Sequence, residues 1–296
     1  MQKVTVRVPG TTSNLGPGFD CLGVALRLYN SVTLERYPSR RCSHPQIVSE
    51  AADGFFNQAR QRPFSFSYSI TEQVPRSRGL GGSATVRIGV LLALNRLSGN
   101  PLDRMTVFRL CAELEGHPDN AAPATFGGFA VVQSSATVSL ARGKRDACPA
   151  IQRFEVSPRL YFVLLIPELE IETSKARRIL PTKVSRVAAV ENCGKACALT
   201  AAFASQDYKS LRGNFADQLH QPFRAKLIPF LPCVIAAAEN AGALGAFLSG
   251  SGSTIAAVTL NTPKKIAAAM SSAAKTSGRT IITGADSRGA QILISQ

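Results

Sequence analysis

The chain opens on an alternation of apolar and polar residues, KVTVRV over residues 3–8, the period-two signature of a strand with one buried face. It runs into PGTTSNLGPGFDCLGVAL (9–26), so dense in Gly, Pro and Asn that it reads as a shaped loop around Asn14, Phe19 and Asp20. Two more strands are expected at 30–37 and 64–70, with connecting loops and short elements in the polar stretch between them. The period then changes. The run VRIGVLLALNRL after a glycine-rich turn predicts a helix over 84–98, stopped by Ser98-Gly99-Asn100-Pro101. A second helix is expected after Pro101, with Asp103 near its cap. It ends at Glu115, because the residue before Pro118 is biased away from the helical state. A strand follows at GFAVV (128–132).

The second half starts on YFVLLIP (161–167), a continuous apolar strand of the buried kind. TSKARRILP (173–181) is a short basic helical turn, and the Ala-rich stretches 187–205 and 234–241 read as helices. Between those helices lies DQLHQPFRAKLIP (217–229), carrying Asp217, His220 and Arg224. A small-residue loop (242–254), a strand (254–260), a helix (264–274) and strands at 280–283 and 291–294 finish the chain. This order predicts an α+β sandwich. The best boundary lies between Pro149 and Pro158, giving domains of 1–155 and 156–296.

Composition narrows the picture. The 296 residues are 45% hydrophobic and 18% charged, enough for sizeable cores. The opening has no charged patch followed by a long apolar run, and no window reaches the ~20 apolar residues of a membrane span. A cytoplasmic protein with no membrane partner is expected. Seven scattered cysteines without a CxxC fit reduced thiols, many of them buried, rather than a disulfide framework. Cys193 and Cys197 stand four apart on a helix, but with no second pair packing explains them better than a metal. Lys and Arg number 34 against 19 Asp and Glu, a formal charge of +15. The basic residues are spread along the chain without an aromatic-interleaved module, so no nucleic-acid partner is expected.

The chemistry gathers at PRSRGLGGSAT: Pro75, Arg76, Ser77, Arg78, Gly79, Leu80, Gly81, Gly82, Ser83, Ala84 and Thr85. Backbone N–H groups of a tight loop opening a helix can seat a phosphate, and Ser83 sits where its hydroxyl could cap the helix or reach magnesium. The loop lacks the Gly-Lys-Ser/Thr ending of a Walker A loop and the spacing of a dinucleotide fingerprint. Phosphoryl transfer also needs a metal carboxylate, which Glu113 or Glu115 can supply. Two residues apart on a helix, they face different ways, so only one points inward. Asn14 and Asp20 have a competing role, as Asx turns that bond their own backbone.

These stretches resemble the GHMP kinases. PRSRGLGGSAT is similar to their P-x-x-x-G-L-G-S-S-A signature, and LSGSGSTIAA (248–257) to their third, glycine-rich motif. Within that group SNLGPGFDCLG (13–23) and EGHPDNAAPATFGG (115–128) resemble homoserine kinases, as do TSKARRILP and DQLHQPFRAKLIP. The resemblance implies an N-terminal nucleotide-binding domain with a left-handed βαβ unit and a ferredoxin-like C-terminal domain. It implies that ATP and Mg²⁺ are used, and that L-homoserine becomes O-phospho-L-homoserine in threonine biosynthesis. It assigns the amino acid to Asn14, Asp20, His117, Asn120, Arg177, Arg224 and Ser253. It assigns the triphosphate to residues 75–85, the metal to Ser83 and Glu115, and catalysis to Asn120, Ser83 and Glu115. A homodimer is the usual assembly of such proteins. The alternatives are a kinase of another small alcohol, mevalonate- or shikimate-like, and a non-catalytic sensor on the same fold.

Some residues depart from the pattern: Gly82 stands for a serine, Thr85 for an alanine and Ser253 for a proline, while Arg76 and Arg78 are unexpected and read as solvated. Position 120 bears on mechanism. Mevalonate-type relatives carry Asp there, whereas the Asn120 amide is no base near neutral pH, so alignment and charge neutralisation are expected to carry the reaction. With Gly82 lacking a hydroxyl, Ser83→Ala should slow the chemical step on the order of 10- to 100-fold in rapid-quench measurements, and Ser77→Ala far less. Equal, small effects would remove Ser83 from the metal.

Overall fold

Residues 2–37, 43–133 and 150–295 are described by the computed structural model. β1 (Lys3–Asn14) and β2 (Gly18–Tyr37) form one long antiparallel hairpin, joined through residues 15–17. The Gly/Pro-dense stretch is therefore mostly strand, with register shifts after Pro9 and Ser13 where its irregular residues sit. α1 (Gln46–Ala59) fills part of the stretch expected to be loop, and buries Val48, Ala51, Ala52, Phe55 and Phe56 against the core. Its apolar stripe is real but interrupted by polar residues, and its start has no capping side chain to announce it.

β3 (Ser65–Glu72) pairs with β2, then come α2 (Gly82–Leu97), α3 (Arg104–Glu115), α4 (Ala121–Phe126), β4 (Phe129–Val132) and β5 (Ile151–Phe154). α2 is apolar almost all round because it is the central helix of this half. Asp103 caps α3 by accepting from the Thr106 N–H at 2.7 Å, and Gly116 ends it in the left-handed conformation. β3 and β4 both run antiparallel to β2, hence parallel to each other, and are joined through α2–α4. That is the βαβ unit of the expected fold.

The second unit holds β6 (Tyr161–Pro167), α5 (Thr173–Arg178), α6 (Arg186–Ser205), a 3-10 turn (Tyr208–Leu211), α7 (Gln221–Arg224), α8 (Leu231–Asn240), β7 (Gly245–Leu248), β8 (Ile255–Thr259), α9 (Pro263–Ala274) and β9 (Gly278–Gly284). Its sheet runs β7-β8-β6-β9, all antiparallel. Strand order 2-3-1-4 with a helical layer after the first and third strands is the ferredoxin-like arrangement. The final strand, β10 (Gln291–Ser295), returns to the first sheet and pairs with β1, so that sheet reads β10-β1-β2-β4-β5 with β3 on β2.

Among the described residues no helix is long and apolar enough to cross a membrane. Of the described cysteines only Cys111 is buried; Cys193, Cys197 and Cys233 are exposed. Cys42, Cys148 and Pro149 lie outside the described residues.

α2 meets β2 through Gly89, where a Cβ would stand 2.5 Å from Val32 Cγ2 and 2.6 Å from its Cβ. Gly89→Ala should therefore lower unfolding free energy by about 1–3 kcal/mol, despite alanine's better helix propensity. Urea denaturation would show this; an unchanged midpoint would mean that the two elements can part without cost.

Candidate active site

The glycine-rich loop and the start of α2 face a cleft of about 320 Å³, lined also by β1–β3 and by Arg177, Arg224 and Gly250 of the second unit. Gly81 caps α2 at φ +67°, and a Cβ there would lie 2.0 Å from Thr11 Oγ1. No side chain caps the first turn of this 16-residue helix, so its N–H groups remain available to an anion. Arg76, Ser77, Arg78, Gly79, Gly81, Gly82 and Ser83 line the cleft. Pro75, Leu80, Ala84 and Thr85 do not: Leu80 is buried in the core, and Thr85 accepts from Asn30 Nδ2 at 2.8 Å and donates to Gly82 O at 2.7 Å. Those four support the loop rather than offering side chains to a nucleotide.

The two unexpected arginines differ. Arg76 is exposed and paired with Glu72, whereas Arg78 is largely covered, donates to Pro167 O at 3.0 Å and pairs with Glu170 at 3.2 Å. Arg78 is thus a tie between the units and not a solvated charge.

Ser83 Oγ donates to Glu115 Oε2 at 2.7 Å. Glu113 is exposed and Glu115 lines the cleft, as the helix geometry of α3 requires of residues two apart. A hydroxyl and one carboxylate oxygen side by side suit a hard cation that takes its remaining ligands from phosphates and water. Among the described residues no cluster of three or more His, Cys, Asp or Glu forms an all-protein metal site.

Across the cleft, Asn120 is nearly buried. Its Oδ1 accepts from Thr11 Oγ1 at 2.6 Å and its Nδ2 donates to Ser13 Oγ at 3.1 Å. Asp119, absent from the residues predicted by sequence, is buried beside it and accepts from the Asn120 N–H at 3.0 Å. His117 Nδ1 lies 2.8 Å from the same oxygen. Burial opposes charge on both partners. Their hydrogen bond and mutual attraction still outweigh it, holding Asp119 below and His117 above their usual pKa ranges. The adjacent His and Asp in GHPDN were the available signal.

Asp20 and Arg177 form a bidentate pair at 2.9 and 2.7 Å. Asn14 accepts from the Asp20 N–H at 3.0 Å and donates to Gly250 O at 3.0 Å, so it does serve as an Asx-type clamp while lining the cleft. Arg224 is almost wholly buried and donates to Gly250 O (2.9 Å) and Ala176 O (3.2 Å). Burial, with nearby Arg177, pulls its pKa down to about 10. Both guanidiniums lie over the Phe19 ring, 5.5 and 5.3 Å from its centroid. Asp217 accepts three backbone N–H groups at the start of α7, which sets His220 and Arg224 in place. Ser253 does not reach the cleft. It is fully buried and its hydroxyl donates to Leu169 O, which corrects its place in the substrate set.

A phosphate seat, a cation-ready oxygen pair and a two-arginine, one-carboxylate pocket sharing one cleft define a small-molecule kinase. Models of the GHMP kinases N terminal domain and of the GHMP kinases C terminal match residues 46–128 and 199–276. The chain is 36% identical to the homoserine kinase of Trichormus variabilis, over 94% of each chain. It is 37% identical to that of Microchaete diplosiphon, over 95% of this chain and 93% of that one. The crystal structure of homoserine kinase from Cytophaga hutchinsonii superposes with a TM-score of 0.86 at 25% identity, covering 98% and 97% of the two chains. The chain belongs to the homoserine kinase family of the GHMP kinases.

His220 shows how the arginine pocket depends on pH. Its Nε2 lies 2.9 Å from Gly16 O, and its Nδ1 faces Arg224 Nη1 at 3.3 Å. A guanidinium only donates, so Nδ1 is the acceptor and the ring is neutral. Burial takes its pKa down to about 4, with Asp217 opposing and Arg224 assisting. The folded pKa lies below the unfolded value of about 6.5, so the native state binds fewer protons between the two. The His220 contribution to stability should be level above pH 6.5 and fall as pH drops from there toward 4. His220→Gln should flatten that slope in urea titrations; an unaltered slope would exclude His220 as its source.

Proposed function

We propose that this chain transfers the γ-phosphoryl group of ATP to the side-chain hydroxyl of L-homoserine, giving O-phospho-L-homoserine and ADP in the cytoplasmic route to threonine. The observation that carries the reading is the convergence of Asp20, Arg177 and Arg224 on the cleft that also receives the start of α2. A free amino acid presents one carboxylate and one ammonium at fixed separation. Two guanidiniums match the first and Asp20 the second. Arg177 pairs with Asp20, so a bound amino acid would exchange that pair for two of its own.

The nucleotide's phosphates would lie on the N–H groups opening α2, and Ser83 and Glu115 would hold magnesium, which supplies charge neutralisation across the phosphates. Asn120 stands at the position that must aim the hydroxyl. Its side-chain amide is fixed by Thr11, Ser13 and Asp119, so the aim is set before substrate arrives. Asp119 is a poor base because its pKa is held low by His117 against the pull of burial. The hydroxyl proton therefore leaves to the phosphate or to solvent.

A coupled ADP-release assay across homoserine, mevalonate and shikimate tests the proposal. Turnover should be confined to homoserine. Asp20→Asn should raise KM for homoserine on the order of 10- to 100-fold with a smaller change in kcat, since the ammonium contact is present in ground and transition states alike. No ADP with homoserine would refute the reading, and turnover of mevalonate insensitive to Asp20→Asn would replace it.

A further inference from the structure

One charged side chain near the site has no part in the chemistry above. Arg87 is the lone charge in the otherwise apolar middle of α2, between Val86 and Ile88, both buried. It lies one turn beyond Ser83, on the same face of the helix. Its side chain is 14% exposed and it does not line the cleft. Nη1 pairs with Glu115 Oε1, and Nη2 donates to Glu50 Oε2 on α1 at 3.0 Å. Its Nε is buried without a partner, so the guanidinium is held only by its two carboxylates and not by the surrounding backbone.

The arrangement is unusual for what it separates. The Glu50 and Glu115 carboxylates face one another across a single guanidinium, and Ser83 Oγ sits 2.7 Å from the second oxygen of Glu115. Two carboxylates and a hydroxyl are hard oxygen donors of the kind that hold a divalent cation together with water. Arg87 stands where such a cation would collect them. It offers a fixed positive charge in its place, and it is always protonated.

We propose that Arg87 is an internal counter-ion that keeps a free divalent cation off Glu115, so that metal enters the site only together with the nucleotide's phosphates. Before nucleotide binds, Glu115 is neutralised by Arg87 through Oε1 and hydrogen-bonded by the Ser83 hydroxyl through Oε2. An incoming cation meets a full positive charge a few ångströms away and gains one carboxylate oxygen at most. Nucleotide changes the balance, because its phosphates add several negative charges at the α2 N-terminus. Ser83 and the Oε2 side of Glu115 would then be the groups left to hold the metal, while Arg87 keeps Oε1. Glu50 anchors Arg87 from the far side and stops the guanidinium from following the phosphates into the cleft. Arg87 is therefore a positioning residue acting through Glu115.

The inference rests on the assignment of the metal to Ser83 and Glu115, and its test is independent of substrate turnover. Binding of Mn²⁺ to the nucleotide-free protein is followed by electron paramagnetic resonance of the free ion, for the unaltered chain, Arg87→Met, Arg87→Lys and Arg87→Met combined with Glu50→Gln. The unaltered chain and Arg87→Lys should bind Mn²⁺ weakly. Arg87→Met should bind it at least about tenfold more tightly, and the added Glu50→Gln should reverse most of that gain. A gain of affinity cannot arise from damage to the fold. Should Arg87→Met fail to fold, Arg87→Gln carries the same expectation with a polar head that can still bridge the two carboxylates. Unchanged or weaker Mn²⁺ binding in the folded neutral variant would overturn the proposal. Failure of homoserine turnover with the Mn²⁺ gain intact would instead overturn the substrate reading alone.

Discussion

The backbone of residues 77–80 is held from both sides, and the site depends on that. Leu80 O accepts from the Thr11 N–H at 3.1 Å, tying the loop to β1. Ser77 O accepts from Ile171, Arg78 O from Thr254, and Gly79 O from the Ser249 hydroxyl at 2.7 Å, tying it to the second unit. A loop that must leave its N–H groups open for a ligand cannot be stiffened by its own hydrogen bonds. Here the carbonyls do that work, facing away from the cleft. The start of α2 is thereby tied to β1, which carries the partners of Asn120, and to the unit that carries the arginine pocket, the kind of positioning phosphoryl transfer depends on.

Positive charge is then distributed with care around a cleft meant for anions. Arg224 is buried on backbone carbonyls and a neutral histidine, and among the described residues no carboxylate pairs with it, which leaves its charge to the cleft it lines. Arg177 is matched by Asp20, and Arg87 by Glu50 and Glu115. Arg177 and Arg87 thus find their counter-charges within the chain, so on the proposed reading a ligand would replace a protein partner by one of its own. Such exchange lowers the gross gain from binding while excluding molecules that supply only half of a pair.

Much of this was legible in the sequence. The helix over 84–98, its partner ending at Glu115 and the strand at 161–167 stood out because each has a sustained period and a stop signal. The loop reading of 9–26 failed because glycine and proline there serve register shifts within a hairpin, where local composition looks like a turn. α1 was hidden by an interrupted apolar stripe, and with it went Glu50. Asp20, Asn120 and Arg177 could be picked out as polar residues within recognisable motifs. Asp119 was passed over beside the more conspicuous Asn120, and Ser253 was placed by its motif although its hydroxyl turns inward to Leu169 O. Motif position fixes where the backbone goes. Which way a side chain points depends on contacts remote in sequence.

The pairing of β10 with β1 has a consequence for how the chain acquires its structure. Val4 opposes Ser295, a contact that spans nearly the whole polypeptide. On a ribosome the first sheet must wait with one edge of β1 unpaired while the entire ferredoxin-like unit is made. The strand exposed meanwhile is the apolar alternation KVTVRV, a ready template for association with other nascent chains. Arg7 and Lys3 interrupt it, and like charge along that edge is a means of keeping it solitary until its partner emerges.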